Sequence, residues 1–205
     1  RVPDAGIADA FLVVGGTAVR YLAADAAGLA CMVAPSIDPT RRVGGVRCDG
    51  VTATVLHAPA AALRQQATVL VAAEAVGVAE RTLTMSVEYA KVRQQFGKPI
   101  GSFQAIKHRC ADMAVRTEVA RSATAYAAVA VRDAEPGAER TARVAKTLAA
   151  NAAIVNATDN VQNHGGMGYT WEGDAHLFLK RAWLLEHAFG SRTAHLDALA
   201  APWRA

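Results

Sequence analysis

The sequence predicts a mainly α protein, in which an up-down helical bundle follows a partial β-sheet domain. After Pro59 the apolar residues recur with helical spacing over three long stretches, whereas glycine and proline divide the first sixty residues into short apolar runs. Hydrophobic residues make up 52% of the 205 residues and aromatic residues only 6%, a composition that favours closely packed helices over a β-sandwich. We therefore predict two domains, residues 1–58 and 59–205.

The β-rich segment contains four predicted strands. Gly15 and Gly16 separate the first two by a hairpin-length turn, and we interpret residues 39–45 as a polar connection. Four strands leave unpaired edges and an uncovered face, so we expect other residues or another chain to complete the sheet. The predicted strands are Ala10–Val14, Ala18–Leu22, Leu29–Val33 and Val51–Leu56.

The helical segment contains three long helices followed by two short ones. The turn at 135–137 separates the second helix from the third, and a glycine-rich break at 165–168 follows the third. At 1.5 Å per residue the long helices span roughly 40 to 50 Å, and their short turns make them antiparallel neighbours. The predicted helices run from about 61 to 92, 102 to 133, 138 to 163, 174 to 185 and 191 to 199.

Composition and charge argue against several function classes. The formal charge of +4 is scattered along the helices without a basic block, so we expect no nucleic-acid partner. Cys31, Cys48 and Cys110 lack metal-ligand spacing, which fits reduced thiols in a cytoplasmic protein. No signal peptide or uncharged run of ~20 residues is present, so we expect no membrane association. Signatures of zinc enzymes, serine hydrolases and nucleotide triphosphatases are also missing.

Two motifs carry the candidate chemistry. In the stretch from Arg93 to Gln104, a cation and an aromatic residue lie at a corner closed by Gly97 and Pro99. Such a corner suits a phosphorylated, planar ligand, although a helix hairpin with an exposed arginine is the simpler explanation of this stretch taken alone. The stretch Gln162–Tyr169 is a second glycine-rich break after a helix, rich in amide and ring groups, for which helix C-capping is the alternative.

Together these motifs resemble the signatures of the acyl-CoA dehydrogenase family of flavoenzymes. The first covers Glu88–Gln104 with Ala111-Asp112-Met113, and the second covers Gln162–Tyr169 with Glu172. Val2–Val14 is similar to a strand of that family's middle β-domain. The resemblance implies that residues 1–58 form part of the middle β-domain and residues 59–205 the C-terminal helical bundle. Family members carry a further helical domain ahead of these parts, so this chain is a fragment or a partner supplies the rest.

The resemblance implies that FAD is the cofactor. The Arg93 corner would reach across a subunit interface to the adenine-side phosphates of a neighbour's FAD, with the start of the second helix and the second motif as further contacts. A forked cation and open glycine backbone suit a diphosphate, while core packing is the alternative for Phe103. The implied cofactor-binding residues are Arg93, Gln94, Gln95, Phe96, Phe103, Gln104, Gln162, Asn163, His164, Gly165 and Gly166.

The implied reaction is α,β-dehydrogenation of an acyl-CoA thioester, which requires a carboxylate base. Alignment with the family places Phe189 at one position of the base and Ala67 at the other, and neither residue can accept a proton. We interpret Glu186 and Glu74 as structural carboxylates, and Glu172 with Asp174 as caps of the following short helix.

Three functional hypotheses follow. In the first, the chain is a subunit of an acyl-CoA dehydrogenase that has no catalytic residue of its own and works with a homologous, base-bearing subunit in a dimer or tetramer. Acyl-CoA would be the substrate and an electron-accepting flavoprotein a further partner. In the second, the chain is a non-catalytic scaffold of such an oligomer. The third is a different reaction, such as that of a flavin oxidase, or acyl-CoA binding alone. Space beside Phe189 and Ala67 is compatible with a bulky ring-bearing acyl chain in a partner's site.

Overall fold

A computed structural model describes residues 2–203 of the protein. The chain divides into two compact units, with the boundary between Arg64 and Gln65. The first unit is built from β-strands and the second from helices.

The first unit contains two antiparallel three-stranded sheets, with strand orders β1-β5-β4 and β2-β3-β6. Strands β2 and β3 form the predicted hairpin, with Gly15 paired to Ala18 and Gly16 in the turn at φ +57°. The strands are β1 (Val2–Pro3), β2 (Ala10–Gly15), β3 (Ala18–Ala23), β4 (Leu29–Ala34), β5 (Val43–Cys48) and β6 (Thr54–Leu56).

Strand β5 shows where the strand prediction was wrong. Its first residues were interpreted as part of a polar connection because Gly44 and Gly45 interrupt the apolar pattern. The structure uses Gly44 for close strand packing: a Cβ there would lie 2.7 Å from the carbonyl oxygen of Met32 on β4. The last strand is also shorter than predicted, since residues 51–53 lie outside it.

The second unit is an antiparallel helical bundle, as predicted. Helix α3 is central and packs against α2, α4 and α5. The core consists largely of alanines, which allow the helix axes to approach closely, and Ala79, Ala120 and Ala153 are each completely buried. The helices are α1 (Ala60–Val92), α2 (Gln104–Arg132), α3 (Ala138–His164), α4 (Ala175–His187) and α5 (Arg192–Ala200).

The bounds of all five helices agree with the prediction to within about two residues, and the mainly α fold class is confirmed. One capping prediction is wrong in detail. Asp174 occupies the N-cap position of α4, but its side chain forms no capping hydrogen bond. Ser191 does cap its helix, because its hydroxyl accepts a 3.2 Å hydrogen bond from the amide of Ala194. Between Val2 and Trp203, every helix is too short or too polar to cross a bilayer.

Candidate flavin-binding end of the helical bundle

The corner between α1 and α2 is a miniature hairpin. Gln94 pairs with Pro99 and Gln95 with Lys98, while Phe96 and Gly97 form the tip with φ of +54° and +75°. Positive φ at both central residues is the pattern of the tight turns that join two antiparallel strands. Helix α1 therefore ends at Val92, immediately before the corner.

Arg93 opens this corner with an exposed side chain. Its backbone is fixed, since its amide donates to Tyr89 and its carbonyl accepts from Ile100, both at 2.8 Å. Within residues 2–203 its guanidinium forms no hydrogen bond or ion pair. By contrast, Arg109 and Arg116 on α2 both lie against the carboxylate of Asp159. The corner thus holds a cation whose backbone is rigid and whose charge is available to an external anion.

The aromatic residues of the corner differ in exposure. Phe96 is 91% exposed, whereas Phe103 is half-buried at the start of α2. The two rings meet edge to face with centroids 6.0 Å apart, and the ammonium of Lys98 lies 4.6 Å above the ring of Phe103. Phe103 is therefore a packed support for the corner, and Phe96 presents its ring to the surroundings. Gln94, Gln95 and Gln104 are exposed.

In the second motif, the fold explains two of the three glycines at 165, 166 and 168. Gly165 ends α3 at φ +60°, a conformation that favours glycine. Gly168 packs on the helix, since a Cβ there would lie 2.3 Å from the carbonyl oxygen of Val161. At Gly166 neither reason applies: its φ is not positive, and a Cβ would meet no described atom within 4 Å. Nothing in the fold of the described chain requires glycine at position 166.

The two motifs lie at the same end of the bundle. The ring of Tyr89, one turn before Arg93, stacks on the ring of His164, with centroids 4.2 Å apart and planes 22° apart. From α2, the guanidinium of Arg109 donates a 2.8 Å hydrogen bond to the side-chain oxygen of Asn163. Tyr89 and Arg109 were missed by the sequence analysis. An aromatic and a basic residue are ordinary on a helix surface, so the sequence gives no signal for them. Only the tertiary contacts show that both support the second motif.

A ladder of buried asparagines holds α3 in this register. Asn156, Asn160 and Asn163 are spaced by four and three residues and are 0%, 0% and 4% exposed. Asn160 accepts from the hydroxyl of Ser86 on α1 at 2.9 Å, and Asn156 donates to the carbonyl of Met113 on α2 at 3.0 Å. The side chain of Asn163 thus faces the interior, whereas Gln162, Gly165 and Gly166 are exposed and His164 is half-buried.

Comparison with known proteins identifies the family. Residues 62–202 match the family model described as acyl-CoA dehydrogenase, C-terminal domain. The chain belongs to the acyl-CoA dehydrogenase family. This membership confirms the resemblance seen in the two motifs.

Two curated relatives and one solved structure indicate how much of a family member is present. Acyl-CoA dehydrogenase FadE34 of Mycobacterium tuberculosis is 51% identical over 131 residues, which cover 63% of this chain and 18% of FadE34. Acyl-CoA dehydrogenase IpdE2 of the same species is 44% identical over 147 residues, covering 72% of this chain and 43% of IpdE2. A chain of the ChsE4-ChsE5 complex from that species superimposes with a TM-score of 0.89 at 30% identity, over 98% of this chain and 57% of that one. The chain therefore spans well under two thirds of these proteins.

The sequence analysis predicts that positions 189 and 67 are those of the family's base, and they carry a phenylalanine and an alanine. Phe189 lies in a turn with φ +54° and is 60% exposed, and Ala67 is half-buried on α1. Nearby acids have structural partners. A side-chain oxygen of Glu186 accepts from the amide of Arg192 at 2.8 Å, and Glu74 forms a 2.9 Å ion pair with Arg181. This agrees with the structural interpretation of both acids.

The turn that carries Phe189 is held by two buried basic side chains. The ammonium of Lys146 on α3 donates to the carbonyls of Glu186 and Gly190 at 3.0 and 3.3 Å, and His195 Nε2 lies 3.1 Å from the carbonyl oxygen of Phe189. Burial lowers the pKa of Lys146 to about 8, with the charge of Glu186 opposing the shift. Burial, followed by the charges of Lys146 and Arg143, lowers the pKa of His195. A neutral His195 donates from Nε2 to this carbonyl.

Proposed function

We propose that this chain is part of an FAD-dependent acyl-CoA dehydrogenase that removes hydrogen from the α and β carbons of an acyl-CoA thioester. In this proposal the Arg93 corner and the break at 165–166 bind the adenine-side phosphates of an FAD held mainly by an adjoining protomer. The observation that carries it is the exposed guanidinium of Arg93, which has no partner within residues 2–203 and lies at the end of the bundle where the second motif also ends.

The residues of this end fit a dinucleotide. A guanidinium can bind phosphate oxygens with two parallel hydrogen bonds, and its fixed backbone reduces the entropy lost on binding. The described chain has room for a side chain at position 166, yet glycine is present there. The missing side chain leaves the backbone open to close approach by an external group. When bound, FAD supplies the redox chemistry by accepting hydride from the substrate. The exposed ring of Phe96 offers an apolar contact beside the phosphates.

The missing carboxylate supports a division of labour between subunits. Phe189 and Ala67 cannot remove a proton, so in this proposal a homologous, base-bearing subunit performs the chemistry and this chain completes its flavin site. The similarity to a chain of the ChsE4-ChsE5 complex, which contains two differently named proteins, supports a heteromeric dimer or tetramer. Acyl-CoA is the proposed substrate, and an electron-accepting flavoprotein is the proposed second partner.

The test is to co-express the protein carrying Arg93→Ala with a base-bearing homologous subunit. We expect the purified complex to lose most of its flavin absorbance at 450 nm while the two subunits still elute together. Arg140→Ala is the matched control, because Arg140 is also exposed and forms no ion pair within residues 2–203, but it lies at the start of α3. Unchanged FAD content and acyl-CoA oxidation in the Arg93 variant would refute the proposed role of the corner.

The second candidate is a non-catalytic scaffold that only stabilises the oligomer. The exposed apolar ring at position 189, where the family carries its base, favours it. A scaffold predicts complexes without flavin at the interface that this chain forms. One FAD per pair of subunits, sensitive to Arg93→Ala, therefore distinguishes the first candidate from the second.

A further inference from the structure

The two motifs of the candidate flavin site are joined by one pair of stacked rings, those of Tyr89 and His164. Tyr89 lies on α1, one turn before Arg93, and its carbonyl accepts the 2.8 Å hydrogen bond from the Arg93 amide. His164 ends α3 and directly precedes Gly165. The ring centroids are 4.2 Å apart and the ring planes differ by 22°. This stacked pair therefore links the Arg93 corner to the glycine break through one hydrogen bond, one ring contact and one peptide bond.

The stacked pair depends on ring orientation rather than on the tyrosine hydroxyl. The carbonyl of Asn160 can only accept, so His164 Nδ1, which lies 2.8 Å away, carries the hydrogen and donates it. This bond fixes the ring of His164 against its own helix. Tyr89 is half-buried, and within residues 2–203 its hydroxyl forms no hydrogen bond. A phenylalanine at position 89 can therefore preserve the contact, and a small side chain cannot.

The stacked pair lies where α1 and α3 would otherwise be loosely held. Deeper in the bundle the seam between these helices is closed by buried contacts, such as the 2.9 Å hydrogen bond from Ser86 to Asn160. Beyond it, α1 ends at the exposed Arg93 corner and α3 ends at two exposed glycines, and helix ends fray where tertiary contacts are few. Arg109 holds Asn163 to α2, whereas the stacked pair joins the last turns of α1 and α3 directly.

We propose that Tyr89 and His164 are positioning residues whose stacked rings hold the Arg93 corner and the break at 165–166 at the separation that one dinucleotide spans. This inference rests on the proposed function, and in it Tyr89 acts through the corner without touching the cofactor. A ligand that contacts two segments binds more tightly when their separation is already set, because ordering loose segments on binding lowers the affinity. The stacked pair sets this separation and leaves Arg93 and Gly166 exposed to the ligand.

The positioning role is tested by the flavin affinity of the complex co-expressed with a base-bearing homologous subunit. FAD is titrated into the flavin-free complex, and the change in flavin fluorescence gives Kd. We expect Tyr89→Ala to raise the Kd for FAD about tenfold, and Tyr89→Phe, which keeps the ring, to stay within about twofold of wild type. Glu74→Ala is the matched control, because it breaks the ion pair with Arg181 on the same helix, about 22 Å from Tyr89. Equal Kd values in Tyr89→Ala and either Tyr89→Phe or Glu74→Ala would overturn the positioning role.

Hydrogen–deuterium exchange of the flavin-free complex tests whether the stacked pair holds the end of α3. In Tyr89→Ala we expect about tenfold faster exchange in a peptide covering residues 159–168, while a peptide covering residues 113–130 of α2 keeps its rate. Tyr89→Leu keeps the test decisive if Tyr89→Ala does not fold, because leucine retains apolar volume but cannot stack flat on His164. Unchanged exchange at 159–168 would overturn the inference, and faster exchange throughout the bundle would reduce the role to global stability.

A double variant shows whether Tyr89 acts through the Arg93 corner. Once Arg93→Ala is present, adding Tyr89→Ala should raise the Kd for FAD little further, because one of the two contacts to be aligned is already lost. If the two variants multiply the Kd independently, the stacked pair does not act by aligning the corner, and the inference fails. A wild-type complex that binds no FAD would refute the proposed function, whereas the exchange experiment would still decide whether the stacked pair couples the two motifs.

Discussion

Lys146 makes the stability of the second unit depend on pH in a direction that can be calculated. Its pKa falls from 10.5 to about 8 because it is buried in the folded chain. Between these two values the unfolded chain binds a proton that the folded chain has released, so the free energy of unfolding rises with pH. Below about pH 8 both states carry the proton, and the full cost of burying the charge remains.

The size of the effect follows from the two pKa values. From pH 7 to pH 9.5 they correspond to a gain of about 2 kcal/mol in the free energy of unfolding. The two hydrogen bonds from Lys146 to the carbonyls of Glu186 and Gly190 survive deprotonation, because a neutral amine retains two N–H groups.

Urea unfolding followed by circular dichroism at pH 7, 8, 9 and 9.5 measures this gain. Wild type is compared with Lys146→Met, so that the other titrating groups cancel, and with Lys107→Met as an exposed control. The free energy of unfolding of wild type minus that of Lys146→Met should rise by about 2 kcal/mol from pH 7 to pH 9.5. The same difference between wild type and Lys107→Met should stay constant. A flat or falling difference for Lys146→Met would show that the buried amine does not titrate as the structure implies.

Three further predictions use other parts of the helical unit. Gly168→Ala should lower the free energy of unfolding by about 2 kcal/mol, because its Cβ would lie 2.3 Å from a helix carbonyl. Gly166→Ala should change the free energy of unfolding by less than about 0.5 kcal/mol. It should nevertheless lower the FAD content, measured by absorbance. Equal stability losses would contradict the distinction between the two glycines. Asn156→Ala should cost about 3 kcal/mol in urea unfolding, because it removes the hydrogen bonds between Asn156 and α2 and leaves a buried void. Asn151→Ala, which removes one exposed hydrogen bond, should cost about 1 kcal/mol or less. Phe189→Glu in a flavin-loaded complex should introduce acyl-CoA oxidation at the second site of each subunit pair, and no gain in turnover per flavin would favour altered chemistry over a missing base.

The helical unit was predictable because its determinants are local. The long apolar period, the turn at 135–137 and the glycine break after α3 gave five helices with nearly correct ends. The β-unit was less predictable, since Gly44 and Gly45 look like loop residues until the neighbouring strand is present. Sheet register depends on contacts distant in sequence, which a local pattern does not contain.

The candidate site shows the same division. The amino-acid sequence alone specified the family, the two motifs and the absence of a carboxylate at positions 67 and 189. Only the tertiary structure brought Tyr89 onto His164, turned Asn163 inward, and distinguished Gly166 from Gly168. It alone also placed Lys146 beneath the turn of Phe189, because hydrogen bonds between residues 40 positions apart exist only after α3 and α4 have packed together.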